Sequence, residues 1–129
     1  LMVDCDVLRA DGGTRTAAIT GSYVALQQAV RTLINRGELS SNPITCAIAS
    51  TSVGIIGGEI LLDLGYEEDS KADADFNIVM TDSGEFVEIQ GTAESATFSR
   101  NDLGQVLTIA EKGIGELFEV QTRVISSLE

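Results

Sequence analysis

Two stretches of the sequence hold residues whose types and spacing suit chemistry. In the first, Glu67, Glu68, Asp69, Asp73 and Asp75 crowd into nine positions. Carboxylates this close repel one another unless water, bases or a cation separates them, and a divalent cation is the economical separator. Oxygen ligands favour Mg²⁺ or Mn²⁺ over zinc, and Mg²⁺ commonly takes one or two carboxylates together with substrate phosphate and water. If Asp75-Phe76-Asn77-Ile78 opens a strand, Asp75 and Asn77 share one face while Phe76 and Ile78 share the other. Asp69, six residues before Asp75, would fold back across a turn to the same point. On charge pattern alone, a solvated acidic loop is the plainer interpretation of the run.

The second stretch is Asp11-Gly12-Gly13-Thr14-Arg15-Thr16, at the start of an apolar helical pattern. A helix N-terminus exposes unpaired N–H groups and the positive end of the dipole, glycines let backbone approach a ligand, and arginine offers a planar fork of donors suited to phosphate. Together these form an anion cradle. The competing interpretation is a turn with Thr14 or Thr16 as N-cap and Arg15 in solvent. No Gly-Lys-Ser/Thr follows, so this is not a Walker loop. An anion cradle beside a carboxylate pair is what phosphoryl or nucleotidyl transfer requires.

The elements that must position these groups follow from periodicity. Met2 to Leu8 alternates as a strand would. Ile19, Tyr23, Leu26, Val30 and Leu33 then mark one face of an amphipathic helix, with Gly37 placed as a left-handed C-terminal cap. Cys46 to Ile56 and Glu59 to Leu64 read as a hairpin turning at Gly57-Gly58, and Asn77 to Thr81 and Phe86 to Gln90 as a second one turning at Asp82-Ser83-Gly84. Ser99 and Asp102 form a capping box ahead of a stripe from Leu103 toward Leu128, which Gly113 and Gly115 weaken or kink. The order predicts a single α+β domain with a mixed sheet and helices packed on one face.

Composition narrows the choices. The chain has 129 residues, 8 Lys and Arg against 20 Asp and Glu, a formal charge of −12, and no histidine. Zinc sites of the usual kind and every histidine-based catalytic scheme are excluded. Bulk attraction for nucleic acid is excluded as well, because phosphate contacts need clustered Lys and Arg. Residues 59 to 94 carry eleven acids against Lys71 alone, so most of the surplus surrounds the acidic run. Cys5 and Cys46 could pair, though free buried thiols in strands are the plainer expectation and fit a reducing cytoplasm. No apolar run is long enough for a membrane helix. A start without Met that runs directly into a strand suggests a segment of something longer.

The residues also resemble a known family. Asp4-Cys5-Asp6-Val7, Ala10-Asp11-Gly12-Gly13-Thr14-Arg15-Thr16-Ala17, Ser52-Val53-Gly54-Ile55, Asp63-Leu64 with Tyr66 and Glu68-Asp69-Ser70, Asp75 with Asn77 and Val79-Met80-Thr81, and Gln90-Gly91-Thr92-Ala93-Glu94 are similar, in order, to bacterial ribonuclease PH. The resemblance implies a phosphate-dependent 3′→5′ exoribonuclease that trims transfer RNA precursors and releases nucleoside 5′-diphosphates. It further implies a ribonuclease PH-like α+β fold related to a ribosomal-protein domain, a homo-oligomeric hexameric ring, and a cytoplasmic location with no membrane. By the same resemblance Gly13, Thr14 and Arg15 bind the attacking inorganic phosphate, Asp69 and Asp75 are the catalytic and metal-binding pair, and Asn77 supports the Mg²⁺ or Mn²⁺. Only the C-terminal half of the family chain is matched. The other half would bring a further phosphate-contacting arginine, the basic RNA path and part of the ring interface, so this segment alone is expected to act weakly. The alternatives are a non-catalytic RNA-binding ring subunit of an exosome-like assembly, and a metal-dependent hydrolase in which water replaces phosphate.

Overall fold

The computed structural model describes residues 1–128. Its elements are α1 (Thr14–Asn35), β1 (Ile48–Ile56), β2 (Glu59–Leu62), α2 (Tyr66–Asp69), β3 (Ala74–Thr81), β4 (Phe86–Ala93) and α3 (Arg100–Ser127). The strands form one antiparallel sheet in the order β2-β1-β3-β4. Both predicted hairpins are present. The first turns at Gly57 and Gly58, with φ of 58° and 86°, the left-handed pair that a two-residue turn matched to strand twist demands. β3 starts at Ala74, three residues earlier than the predicted hairpin strand, and so takes in Asp75.

One face of the sheet holds the core. Val53, Phe76 and Ile78 meet Val106, Ala110 and Ile114 of α3, and Phe76 packs edge-on against Phe98 with ring centroids 4.7 Å apart. The predicted capping box starts α3: the Ser99 N–H donates to Asp102 Oδ2 at 2.8 Å and the Asp102 N–H to Ser99 Oγ at 3.1 Å. The helix then runs uninterrupted through Gly113 and Gly115. Gly113 does not weaken this helix at random, because a Cβ there would come within 2.7 Å of Leu62 Cδ2. Its bare backbone lets α3 lie close against β2.

α1 takes the flank of β1 that β2 leaves open. β2 pairs only with Val53 to Ile56, and beyond it Thr20 Oγ1 donates to the Ser50 carbonyl at 3.1 Å and accepts the Ser50 N–H at 2.9 Å. α1 ends as predicted, with Gly37 at φ 73° and its N–H on the Ile34 carbonyl.

Two expectations fail. Met2 to Leu8 forms no strand and is exposed. Alternation makes a strand only where another strand satisfies its backbone groups, and among the described residues none pairs with this segment. Cys5 and Cys46 are free as expected but exposed, not buried. Cys5 lies in that unpaired segment, and Cys46 precedes β1, which begins at Ile48.

Candidate functional site

The anion-cradle loop keeps its donors available. Gly13 is the N-cap of α1 with φ 71° and ψ 31°, and no side chain caps the helix. Thr16 does not cap: its hydroxyl donates to the Gly13 carbonyl at 2.8 Å. The alternative in which Thr14 or Thr16 satisfies the first turn is therefore not what the fold adopts. The positive end of a 22-residue helix opens toward the sheet beside Thr14 and Arg15.

β3 supplies the opposing groups. Phe76 and Ile78 are buried and Asp75 and Asn77 are half-buried on the other face, the alternation that the sequence predicts. Register places Gly54 and Thr92 beside Asp75, and Ser52 and Gln90 beside Asn77. Asp69 ends α2, its N–H bonded to the Gly65 carbonyl at 2.9 Å. A helix of four residues is too short to show a period in the sequence. All six predicted site residues, Gly13, Thr14, Arg15, Asp69, Asp75 and Asn77, line one cleft of about 170 Å³ together with Ser52 and Phe76. A larger groove of about 590 Å³ lies between α1 and α3 but contains neither Asp69 nor Asp75.

Two small side chains join the loops that carry these residues. Asp11 Oδ1 accepts the Gly12 N–H at 2.9 Å and the Tyr66 N–H at 2.7 Å, tying the cradle to the start of α2. Those two N–H groups hold the Asp11 carboxyl below its ordinary range, Tyr66 most strongly. Ser52 accepts the Asp63 N–H on its carbonyl at 2.8 Å and the Leu64 N–H on its hydroxyl at 3.2 Å. Gly12 lets the strands of this knot touch, since a Cβ there would lie 2.9 Å from the Leu64 carbonyl carbon.

Two of the five carboxylates in the acidic run are used elsewhere. Glu68 Oε2 accepts the Gly65 N–H. Asp73 accepts the Gly57 N–H at 2.8 Å and the Ser95 hydroxyl at 2.7 Å, which lowers its proton affinity, Ser95 first. Glu68 and Asp73 thus need no cation, and among the described residues no three Asp, Glu or Cys side chains converge as a metal cluster. Asp69 and Asp75 are the two that remain in the cleft. Burial raises the Asp75 carboxyl above its ordinary range, and the charges of Glu94 and Asp69 push it further. Two carboxylates and the Asn77 amide form an all-oxygen donor set in a place short of positive charge, which suits a hard divalent ion.

Two residues of this region escape sequence reasoning. Ser52 lines the cleft only because β1 pairs with β3 in this register. Glu88 forms a bidentate ion pair with Arg15, Oε1 to Nη1 and Oε2 to Nη2, each at 2.9 Å. Its two-residue spacing from Gln90 and Thr92 along β4 was the available signal, since alternate strand residues share a face. Gln90 itself sits beside Asn77 in the sheet but is not part of the cleft lining.

An antiparallel sheet that sets an arginine-bearing helix start against two carboxylates has the parts for handling phosphate esters. The family model described as 3′ exoribonuclease family, domain 2, matches residues 46–113, from just before β1 into α3. The chain belongs to the 3′ exoribonuclease family. It is 57% identical over 127 residues to ribonuclease PH of Neisseria meningitidis serogroup C, covering 98% of this chain and 52% of that protein. It is 56% identical over 126 residues to ribonuclease PH of Neisseria gonorrhoeae strain NCCP11945, again covering 98% of this chain and 52% of the relative. The chain therefore spans about half the length of the curated relatives it matches. The solved structure of rice (Oryza sativa) Rrp46 shares the fold, with a TM-score of 0.65 at 17% identity over 94% of this chain and 50% of that one. Among the described residues, no helix is long and apolar enough to cross a membrane.

Proposed function

We propose that this chain carries the phosphate- and metal-binding half of a phosphate-dependent 3′→5′ exoribonuclease acting on transfer RNA precursors. The observation that carries this reading is the meeting, in one cleft, of Gly13, Thr14 and Arg15 with Asp69, Asp75 and Asn77, in a chain of the 3′ exoribonuclease family. Inorganic phosphate is the nucleophile. It attacks the phosphorus of the last phosphodiester, the bond to the penultimate 3′-oxygen breaks, and a nucleoside 5′-diphosphate leaves while the shortened RNA recovers a 3′-hydroxyl.

The chain's own groups divide this work. Thr14, Arg15 and the N–H groups at the start of α1 hold and orient the phosphate. Asp69, Asp75 and Asn77 would hold Mg²⁺ or Mn²⁺, which when bound neutralises charge gathering on the transferred phosphoryl group and the leaving oxygen. A proton and a metal ion on Asp75 exclude one another, so its raised proton affinity makes protonation of that oxygen the alternative role of this carboxylate, not an addition to metal binding. The grip on RNA and a hexameric ring belong to the whole assembly in the cytoplasm, because this chain contributes few bases to either.

The test joins this chain to the amino-terminal half of a ribonuclease PH and follows products from a transfer RNA precursor. Nucleoside diphosphates should appear only with phosphate, and Arg15→Ala and Asp75→Asn should each slow their release by about 10²-fold or more. Nucleoside monophosphates released without phosphate would make the protein a hydrolase instead.

A further inference from the structure

Arg15 lines the cleft, yet two of its five guanidinium N–H groups already serve another anion. Both terminal nitrogens donate to Glu88, at 2.9 Å each. This is the two-bond geometry through which arginine binds phosphate oxygens, so the same pair of N–H groups cannot serve both anions. Among the described residues Arg15 is the sole basic one lining the cleft, and two of its neighbours there are Asp69 and Asp75. Whatever competes for that fork therefore acts directly on anion binding.

The sheet builds this competition in. Glu88 lies on β4 opposite Val79, directly beside the irregularity where pairing steps from Val79–Glu88 to Met80–Phe86 and leaves Val87 unpaired. Bulges of this kind re-aim side chains near functional sites. Glu88 is not itself a wall of the cleft, so it draws the arginine fork to the rim. The pair is open to water, with the Arg15 and Glu88 side chains 52% and 36% exposed. Pairs so exposed hold weakly and exchange partners readily.

We propose that Glu88 is an internal counter-anion that occupies the Arg15 fork until inorganic phosphate displaces it, and so sets the affinity of the site for phosphate. The inference rests on Arg15 being the phosphate ligand. In the resting state the carboxylate keeps the guanidinium ordered at the cleft mouth and spares it from other anions. Binding transfers the fork from Glu88 to phosphate, and the released carboxylate then faces a bound anion of its own sign. Both effects make phosphate binding weaker than Arg15 alone would allow.

The experiment titrates inorganic phosphate into the joined protein, this chain with the amino-terminal half of a ribonuclease PH; calorimetry reads the affinity of every variant, and the Arg15 side-chain Nε–Hε resonance of the isotopically labelled protein follows the fork wherever Arg15 is present. Glu88→Gln should bind phosphate about two- to fivefold more tightly than wild type, the factor expected for loss of an exposed ion pair. Glu88→Asp, which keeps the charge, should stay near wild type. The gap between wild type and Glu88→Gln should close in about 1 M salt, where charges are screened within roughly 3 Å, whereas a mere change in folding would not follow ionic strength in this way. A Glu88→Gln affinity equal to or weaker than wild type, with Arg15→Ala losing phosphate, overturns the role of Glu88 alone. Phosphate binding that keeps its wild-type affinity in Arg15→Ala, or is absent from every variant, overturns the phosphate reading of Arg15 and this inference with it.

Discussion

Replacing Gly12 by alanine should damage the site without touching any group that meets substrate. The added Cβ would lie 2.9 Å from the Leu64 carbonyl carbon and 3.0 Å from that of Gly65, and in hard contact with the Leu64 carbonyl oxygen. These are backbone atoms, so no rotamer change relieves the overlap. Comfortable separations are about 3.5–4.0 Å, and the cradle and the segment leading into α2 must move apart by roughly 1 Å. Overpacking of this kind costs about 1–3 kcal/mol, which for a chain of this size lowers Tm by roughly 4–12 °C. The same shift carries Gly13 to Arg15 away from Asp69, and misplacement by about 1 Å costs on the order of 10²-fold in rate. Gly21→Ala is the control: it sits inside α1 with nothing within 4 Å of its Cβ and should stabilise by about 0.5–1 kcal/mol. Thermal melts of the chain, and phosphorolysis by the joined protein, measure both. A Gly12→Ala protein that keeps wild-type Tm and activity within about twofold refutes the close apposition of these loops.

Three further outcomes follow from the same structure. Asp75→Asn removes a carboxylate disfavoured by burial, Glu94 and Asp69, so at neutral pH it should melt above wild type while losing activity; a lower Tm would show that the charge is compensated. Gly113→Ala should destabilise and Gly115→Ala should stabilise by about 0.5–1 kcal/mol, because the first meets Leu62 and the second meets nothing within 4 Å; denaturant titrations giving the same sign for both would refute the tight contact of α3 with β2. The Ser99 backbone N–H, and then its hydroxyl, hold Asp102 below the ordinary carboxylate range, so its contribution is complete above the ordinary Asp pKa and is lost as pH falls through the lowered value. Asp102→Asn should therefore melt below wild type at pH 7 and converge with it below that lowered pKa, and a difference that persists there would refute the capping role.

Features decided within a few residues were legible before any coordinates. Gly37 ends α1, Gly57 and Gly58 turn the first hairpin, and Ser99 with Asp102 starts α3, because each depends on backbone conformation or a hydrogen bond three or four residues away. The face shared by Asp75 and Asn77 was legible for the same reason. Features that need a partner distant in sequence were not. Met2 to Leu8 has the alternation of a strand, and among the described residues no strand pairs with it. Thr20 satisfies Ser50 across thirty residues, and Glu88 reaches Arg15 across seventy-three. The meeting of cradle and carboxylates lay between these extremes: each part was visible locally, but their closeness depends on Asp11 and Ser52, whose bonds cross the chain.

Net charge illustrates why a pattern needs geometry before it becomes chemistry. The crowding of acids between Glu67 and Asp75 points to a cation, but crowding alone does not say which carboxylates would hold one. Glu68 and Asp73 are satisfied by N–H and hydroxyl donors, which stabilise their charges without any metal. What singles out Asp69 and Asp75 is that they face the cleft instead, and that Asp75 is penalised there by burial before its neighbours add to the penalty. A carboxylate kept in an unfavourable place supports the proposed role of Asp75. The positive charge that would relieve it is partly withheld by the fold itself, because Arg15 is turned to Glu88. The resting cleft is thereby short of cationic charge, which the divalent ion proposed above would supply.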